Sequence, residues 1–252
     1  MERQNEDVFT KKMLRRLFVL NYAPNSIWRY LVSVYFMHQT VNNRPLEEAH
    51  FCQLLDRIIA FVWAYTITNP GLFSLRTPLF EEMLNIVNDR EVTFSNAQVT
   101  EEQYCTRVDT FTFSNNRPIT KAMLAWWAFE QPGQQLLSLD TRFDTEHIYP
   151  RGRNEIEKSL GDPGNIEKLG NKALLEKGIN IRASDYRFQD KVKYYRGFTT
   201  ESGTVKPRTK IAELLTLSET NQDFTEADIL QRNARIIDGF VAFLGKNNLL
   251  KG

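Results

Sequence analysis

The spacing of apolar residues along the first 135 positions predicts a series of short helices. Apolar side chains recur every three or four positions, which is the period of an amphipathic or buried helix. Clusters of proline, asparagine and glycine separate the segments. The helices predicted in this way cover about residues 8–21, 27–39, 46–67 and 79–88, a short segment opening at Thr100, and a segment starting at Pro118. This part of the chain is typical of a bundle of about six helices.

A different pattern occupies Phe143 to Lys191. A short strand is predicted at its start, and a polar, glycine-containing loop over residues 154–170 follows. The apolar run Ala173–Leu175 predicts a second strand, and the pattern from Ser184 to about Tyr195 predicts a helix. The predicted fold is therefore mainly α (α+β), a helical bundle with an embedded ββα finger and C-terminal helices.

Polar and helical segments complete the chain. Residues 196–210 are polar, basic and poorly periodic, so an irregular segment is expected. Helices are predicted over about 211–217 and 226–244, and Gly245 is expected to end the second of them. The predicted division is a helical region over residues 1–135 and a second region over 136–252, the two packed as one unit.

Composition and charge narrow the class of protein. Hydrophobic residues make up 42% and charged residues 25% of the 252 residues, which is usual for a soluble protein with a sizeable core. The formal net charge of +1 identifies no partner, but residues 168–210 hold eleven Lys and Arg against four Asp and Glu. Such a segment is either a polyanion-binding surface or an ordinary solvated one.

Two cysteines and one apolar run indicate where in the cell the protein is expected. Cys52 and Cys105 have neither metal-ligand spacing nor a disulfide pattern, which favours reduced thiols in a cytoplasmic protein. The apolar run at residues 58–67 is about half the length of a membrane span, so a buried helix and no membrane partner are expected.

The adjacent pair Glu146 and His147 carries the strongest chemical signal. A carboxylate is a hard oxygen ligand for Mg²⁺ or Mn²⁺, and a neutral imidazole is a general base near neutral pH. At the end of a strand before Pro150, the two side chains are expected to converge on one cleft. Asn171 precedes the second strand and can bond across the two strands. Asn180 is expected just ahead of the following helix, where its amide oxygen can bind a metal.

These residues resemble the HNH, or His-Me finger, nucleases, and in particular the C-terminal nuclease domain of GmrSD-type restriction proteins. The resemblance rests on four motifs: Thr145–Pro150 (TEHIYP), Leu169–Leu175 (LGNKALL), Ile179–Asn180 and Phe188–Lys191 (FQDK). It extends to the upstream helix at 121–130 and to the last helix with its Arg232. Residues 136–252 are accordingly expected to form the HNH-type nuclease region.

The resemblance implies a role for each residue of the site. His147 is the general base, Glu146 and Asn180 bind one Mg²⁺ or Mn²⁺, and Asn171 braces the loop. Asp144, two residues before Glu146, is an alternative or additional ligand. The cations expected to hold the DNA backbone are Lys191, Arg187, Lys193 and Arg196.

The implied function is a metal-dependent DNA endonuclease of restriction or phage-defence type. GmrSD-type proteins usually also carry an NTPase domain, and its motifs are not found in this sequence. Nucleotide dependence and recognition of modified DNA are therefore expected from a separate domain or subunit. Two alternatives remain open: a DNA-binding module that keeps the finger without catalysis, and a helical interaction domain in which Glu146 and His147 are a surface pair.

Overall fold

The computed structural model describes residues 8–69, 71 and 74–251, and these residues form a mainly helical fold with two small sheets. The predicted class, mainly α (α+β), is confirmed. The helices are α1 (Lys11–Leu20), α2 (Trp28–Val41), α3 (Glu48–Thr68), α4 (Arg76–Val87), α5 (Glu101–Thr110), α6 (Pro118–Glu130), α7 (Arg151–Glu157), α8 (Lys177–Ala183), α9 (Phe188–Arg196), α10 (Ala212–Thr220) and α11 (Glu226–Lys246). The strands are β1 (Phe143–His147), β2 (Lys172–Glu176), β3 (Phe198–Thr199) and β4 (Val205–Lys206).

Local signals at helix starts account for the agreement in the first part of the chain, where the six predicted helices are all present. The Thr100 hydroxyl accepts a hydrogen bond from the Gln103 backbone N–H at 3.1 Å, and the Gln103 side chain accepts one from the Thr100 N–H at 3.1 Å. This reciprocal cap satisfies two N–H groups that would otherwise lack partners at the start of α5. Pro118 begins α6, where its missing N–H leaves no gap in the helix.

The chain divides into two compact units at positions that differ from the predicted ones. One unit comprises the chain up to Phe111 together with the residues from Ile237 onward, and the other is Thr112–Ile236. The predicted boundary at residue 135 followed a proline–glycine turn. Helix α6 precedes that turn but belongs to the second unit, because it packs against β2. That the two parts pack as one body stays a prediction.

Helix α3 forms the centre of the first unit's core. On this helix, Phe61 stacks on Phe94 with ring centroids 4.1 Å apart, and Phe51 stacks on Tyr35 at 5.6 Å. By length and composition alone α3 could cross a membrane, but 72% of its most apolar 18-residue window is buried inside the fold. An apolar helix that is mostly buried is a core helix, as the apolar run at residues 58–67 predicted.

The second unit contains the strand, strand and helix order that was predicted for the finger. Strands β1 and β2 pair antiparallel, in a register that runs from Phe143 opposite Glu176 to His147 opposite Lys172. Helix α8 follows β2 directly and contacts both strands, and α9 packs against α8 and α10. Helix α8 therefore packs directly on the two-stranded sheet, and α9 packs next to α8.

Two segments around the finger differ from their predicted structure. The expected loop over residues 154–170 contains most of α7 and two short 3-10 turns. The helix expected from Ser184 to about Tyr195 begins later, as α9 at Phe188, and a separate helix that was not predicted, α8, ends just before Ser184. Ser184 has a φ of +43°, which a continuous α-helix does not allow, so the chain changes direction there. Asn180 therefore lies within a helix rather than ahead of one.

The region after α9 also differs from expectation. Residues 196–210 contain the β3–β4 hairpin, in which Phe198 pairs with Lys206 and Thr199 with Val205. Gly203 has a φ of +80°, a conformation that suits the tight turn closing the hairpin. The hairpin is too short to give a strand period in the sequence. Gly245, expected to end α11, lies inside the helix.

Gly170 allows the loop before β2 to approach α11 closely. A Cβ at this position would lie 1.9 Å from the Ile229 carbonyl oxygen and 2.7 Å from the Asn233 backbone nitrogen. Helix backbone cannot move aside for a methyl group. We therefore expect Gly170→Ala to lower the free energy of unfolding by about 1–3 kcal/mol or more, the cost typical of overpacking, as measured by urea denaturation.

Gly178 provides the matched control for this substitution. It lies in α8, and the nearest atom to a Cβ there would be Arg182 Nη1 at 3.7 Å, an ordinary contact. Because alanine is the better helix former, Gly178→Ala is expected to leave stability unchanged or to raise it by up to about 1 kcal/mol. Equal stabilities of the two variants would contradict the close approach at Gly170.

Candidate active site

Strand β1 sends the side chains of Glu146 and His147 to opposite sides, because successive residues of a strand alternate. Glu146 is buried, and its Oε1 accepts hydrogen bonds from Lys191 Nζ at 2.7 Å and from the Tyr195 hydroxyl at 2.6 Å. Lys191 also donates to the His147 carbonyl oxygen at 2.5 Å. Burial raises the pKa of Glu146, and the Lys191 charge acts in the opposite direction. Convergence of the Glu146 and His147 side chains on one cleft stays a prediction.

The His147 ring lies among charged groups. Its side chain is 11% exposed, and its Nε2 lies 3.8 Å from Glu167 Oε1, beyond hydrogen-bond distance. Glu167 in turn pairs with Arg151 and accepts a hydrogen bond from Lys172 Nζ at 2.5 Å. The pKa of His147 is lowered to about 3, first by burial and then by the Lys172 and Arg151 charges, and Glu167 opposes this shift. The imidazole is therefore neutral at neutral pH.

One nitrogen of this ring stands out. His147 Nε2 is buried and has no hydrogen-bond partner among the described residues. A buried polar atom without a partner calls for an explanation, and a catalytic role is one of several.

Asn171 connects the chain after β1 to the chain before β2. Its Oδ1 accepts a hydrogen bond from the Tyr149 N–H at 2.7 Å, and its Nδ2 donates to the carbonyl oxygens of Tyr149 and Ile166, each at 3.1 Å. Its own carbonyl oxygen accepts from the Ile148 N–H at 2.9 Å. Since the side chain is fully buried, these four bonds fix the backbone immediately after His147.

Arg232 of α11 holds the loop that contains Asn171. Its Nη1 donates to three backbone carbonyl oxygens at 2.7–3.0 Å. These oxygens belong to Leu169, Gly170 and Lys172. The other side of the guanidinium bonds Glu213 at 2.8 and 2.6 Å, and Glu213 also accepts from Trp127 Nε1 at 2.9 Å. Helices α6, α10 and α11 thus support the loop.

The candidate metal ligands lie on β1 and α8. Asn180 is half-buried on α8, which contacts both strands. Asp144 is half-buried on β1, with Lys121 Nζ 3.5 Å from its Oδ1. No group of three or more His, Cys, Asp or Glu side chains that could hold a metal occurs in the part of the chain that the structure describes. The donors present are carboxylate and amide oxygens, a set that suits Mg²⁺ or Mn²⁺.

Four cationic side chains were expected to contact DNA, and they differ in how far they are exposed to solvent. Lys191 is 1% exposed and bonded to Glu146, so the expected phosphate contact of Lys191 is wrong for this arrangement. The other three cations are exposed. Each has an intramolecular partner: Arg187 pairs with Glu157, Lys193 Nζ lies 4.7 Å from the centre of the Phe198 ring, and Arg196 donates to the Ser218 carbonyl oxygen at 2.5 Å.

A family model described as GmrSD restriction endonucleases, C-terminal domain, matches residues 98–238, more than half of the chain. The chain belongs to this family. The match includes β1, β2, α8 and α9, and therefore every candidate residue of the site. No curated protein and no solved structure matches the chain. Membership in the GmrSD family indicates a function of restriction-endonuclease type with DNA as the substrate.

Four residues around the site of this GmrSD-family chain were missed by sequence reasoning. Tyr195 had a usable signal, since it lies one helical turn after Lys191 and shares its face. Arg151, Glu167 and Lys172 had none. They meet at His147 only because β2 pairs with β1 and the intervening loop folds back.

Proposed function

We propose that this GmrSD-family chain is a metal-dependent DNA endonuclease of the HNH type, which hydrolyses phosphodiesters with His147 as the general base. The observation that supports it is the paired β1–β2 unit with α8 on it, in which a neutral His147 ends β1 and Asn171 braces the segment that follows. A restriction or phage-defence role agrees with the family.

The chemistry assigned to His147 is the removal of a proton from the attacking water. A neutral imidazole has a lone pair that can accept this proton. The ring's low pKa in the free protein comes mainly from burial, and an anionic phosphodiester beside it would raise that pKa and make the ring a stronger base. Catalytic hydrogen bonds in free enzymes are often long and tighten when substrate binds.

A movement of Arg151 on DNA binding would expose the His147 ring to the substrate. Its half-exposed side chain pairs with Glu167 next to His147. A DNA phosphate attracts a guanidinium strongly, in a two-pronged arrangement. We propose that Arg151 turns to the phosphate. Glu167 Oε1 is then released to orient the imidazole, while Glu167 Oε2 keeps its bond from Lys172.

Glu146 and Asn180 are the proposed ligands of one Mg²⁺ or Mn²⁺, with Asp144 as the alternative carboxylate. Lys191 and Tyr195 both donate to Glu146 Oε1, so Oε2 is the oxygen proposed for the ion. When bound, the ion would neutralise negative charge on the scissile phosphate and the leaving oxygen.

Two groups of residues position the substrate and the base in this proposal. Arg187, Lys193 and Arg196 are the proposed contacts to the DNA backbone, and Asn171 and Arg232 hold the loop that orients His147. Recognition of modified DNA and any nucleotide dependence are assigned to a separate NTPase or sensor domain or subunit.

The metal assignment predicts the behaviour of an Asn180→Ala variant. Without the amide oxygen, the Mn²⁺ concentration required for plasmid nicking is expected to rise by at least about 10- to 100-fold, the range seen when support for a metal ligand is lost. The measurement is conversion of supercoiled plasmid to open-circle and linear forms across Mg²⁺ and Mn²⁺ titrations, with EDTA as the blank.

The control for this variant is Asn96→Ala, an exposed asparagine of the other unit. Its metal dependence is expected to equal that of the unmodified chain. Identical titration curves for the Asn180 and Asn96 variants would remove Asn180 from the metal site.

The second candidate function is a DNA-binding module without catalysis. It is favoured by the buried Nε2 of His147 and by the engagement of Glu146 with Lys191. It predicts salt-dependent DNA binding and intact plasmid in every divalent metal. The same plasmid assay therefore separates the two functions.

A further inference from the structure

Three aromatic side chains form a continuous group on the second unit, outside the site described above. They are Tyr186, in the turn between α8 and α9, Tyr194 of α9, and Phe198 of β3. The rings of Tyr186 and Tyr194 are parallel within 8°, with centroids 5.9 Å apart. Phe198 meets Tyr194 edge-on at 5.6 Å. We refer to these three residues as the aromatic ladder.

The outer end of the aromatic ladder is open to solvent. Tyr186 is 50% exposed, whereas Tyr194 and Phe198 are half-buried. The positions of Tyr194 and Phe198 are explained by the packing of α9 against the hairpin. That packing does not require Tyr186, which stacks on Tyr194 with half of its surface in water. The exposed face of Tyr186 is therefore available to a ligand.

Positive charges alternate with the rings of the ladder. Arg187 follows Tyr186 in the chain and is exposed, although its guanidinium also pairs with Glu157. Lys193 precedes Tyr194, and its Nζ lies 4.7 Å from the Phe198 ring centre. Lys206 lies directly opposite Phe198 in the hairpin register. Aromatic rings interleaved with cations are the combination by which proteins bind single-stranded nucleic acid, because bases stack on the rings and phosphates meet the cations.

The aromatic ladder is also placed next to the candidate active site. Helix α9 holds Glu146 of β1 through Lys191 and Tyr195 on its inner face. Tyr194 and Lys193 belong to the same helix turn but face the hairpin instead. A DNA strand that crosses the ladder would therefore contact the same helix that holds Glu146 of β1.

We propose that the aromatic ladder binds an unpaired stretch of the DNA substrate, with one base stacked on Tyr186 and phosphates held by Arg187, Lys193 and Lys206. The proposal relies on DNA as the ligand, which the family indicates. It does not depend on cleavage or on His147. The ladder would give the enzyme a preference for DNA with locally unpaired bases near the cut.

The test is the fluorescence anisotropy of a labelled dT20 oligonucleotide and of a duplex of the same length, titrated with the full chain in EDTA so that no cleavage occurs. Tyr186→Ala is expected to weaken dT20 binding by about 5- to 150-fold, the loss typical of removing one stacking ring. Tyr186→Phe keeps the ring and is expected to bind as the unmodified chain does. Duplex binding is expected to change less than dT20 binding.

The matched control is Tyr30→Ala, which removes a more exposed tyrosine from the other unit and should leave dT20 binding unchanged. Thermal denaturation confirms that each variant folds. The proposal is overturned if dT20 does not bind the unmodified chain, if Tyr186→Ala binds as tightly as Tyr30→Ala, or if Tyr186→Phe loses as much affinity as Tyr186→Ala.

The endonuclease proposal and the ladder proposal can be contradicted independently of each other. A chain that cuts no plasmid but binds dT20 through Tyr186 supports the ladder and contradicts the proposed endonuclease. A chain that cuts plasmid with unchanged dT20 binding in the Tyr186→Ala variant does the reverse.

Discussion

Replacement of His147 by alanine is expected to abolish metal-dependent plasmid nicking while the fold persists. The ring is the neutral base in the proposed mechanism, and loss of a general base typically lowers the rate by about 10²- to 10⁴-fold. Stability should change little in comparison, because Nε2 makes no hydrogen bond with any described residue and no bond is lost there. The measurement is the initial nicking rate in Mn²⁺, compared with the thermal melting curve of the same preparation.

His50→Ala is the control for this experiment, since His50 is an exposed histidine of the other unit. It should nick plasmid at the rate of the unmodified chain. Cleavage by the His147 variant at an undiminished rate would show that another group is the base.

Replacement of Lys191 by methionine is expected to cause the largest loss of stability. The change leaves the buried Glu146 carboxylate without its partner charge, and removal of one member of a buried ion pair typically costs about 3–5 kcal/mol. Urea denaturation at pH 7 measures the loss. Lys193→Met is the control, because Lys193 is an exposed lysine of the same helix and should cost far less.

A second substitution tests whether the buried charge causes this loss. Glu146→Gln in the Lys191→Met background removes the carboxylate charge but leaves an oxygen that can accept from the Tyr195 hydroxyl. The double variant is therefore expected to recover much of the lost stability. A double variant as unstable as Lys191→Met would show that packing, and not charge, dominates.

The pH dependence of the Lys191→Met variant follows from the raised pKa of Glu146. Burial raises this pKa, and without Lys191 the Tyr195 hydrogen bond is the remaining interaction that opposes the rise. Between the unfolded pKa of about 4.3 and the raised folded pKa, the folded state then binds more protons than the unfolded state. The free energy of unfolding therefore falls as pH rises through this window. The defect relative to the unmodified chain should be smaller at acidic pH than at pH 7, and a defect equal at both would contradict this account.

Local sequence patterns predicted most of the helices, because the interactions that start and end a helix act between residues close together in the chain. Helices such as α3 and α5 are determined by apolar spacing, capping residues and proline, which act within a few residues of one another. The predictions that were wrong depended on weaker local signals. Helix α7 is a single polar stretch of seven residues, and the break at Ser184 depends on one backbone conformation that a serine only rarely adopts.

For the candidate site, the motifs identified the positions of His147, Asn171 and Asn180, but not the surroundings of their side chains. The clearest example is Glu146. Its neighbour in the sequence is His147, yet its bonding partners are Lys191 and Tyr195, more than forty residues later. No local pattern determines which of two adjacent strand residues faces the interior when both are polar.

The sequence by itself determined the helical class, the order of strand, strand and helix, and the family of the chain, because these depend on periodicity and on residues close together in the motifs. The tertiary structure alone decided that Lys191 neutralises a buried carboxylate instead of meeting DNA, and that Arg151, Glu167 and Lys172 surround the His147 ring. The physical reason is that burial and partner charge are set by which segments pack together, and that packing joins residues far apart in the chain.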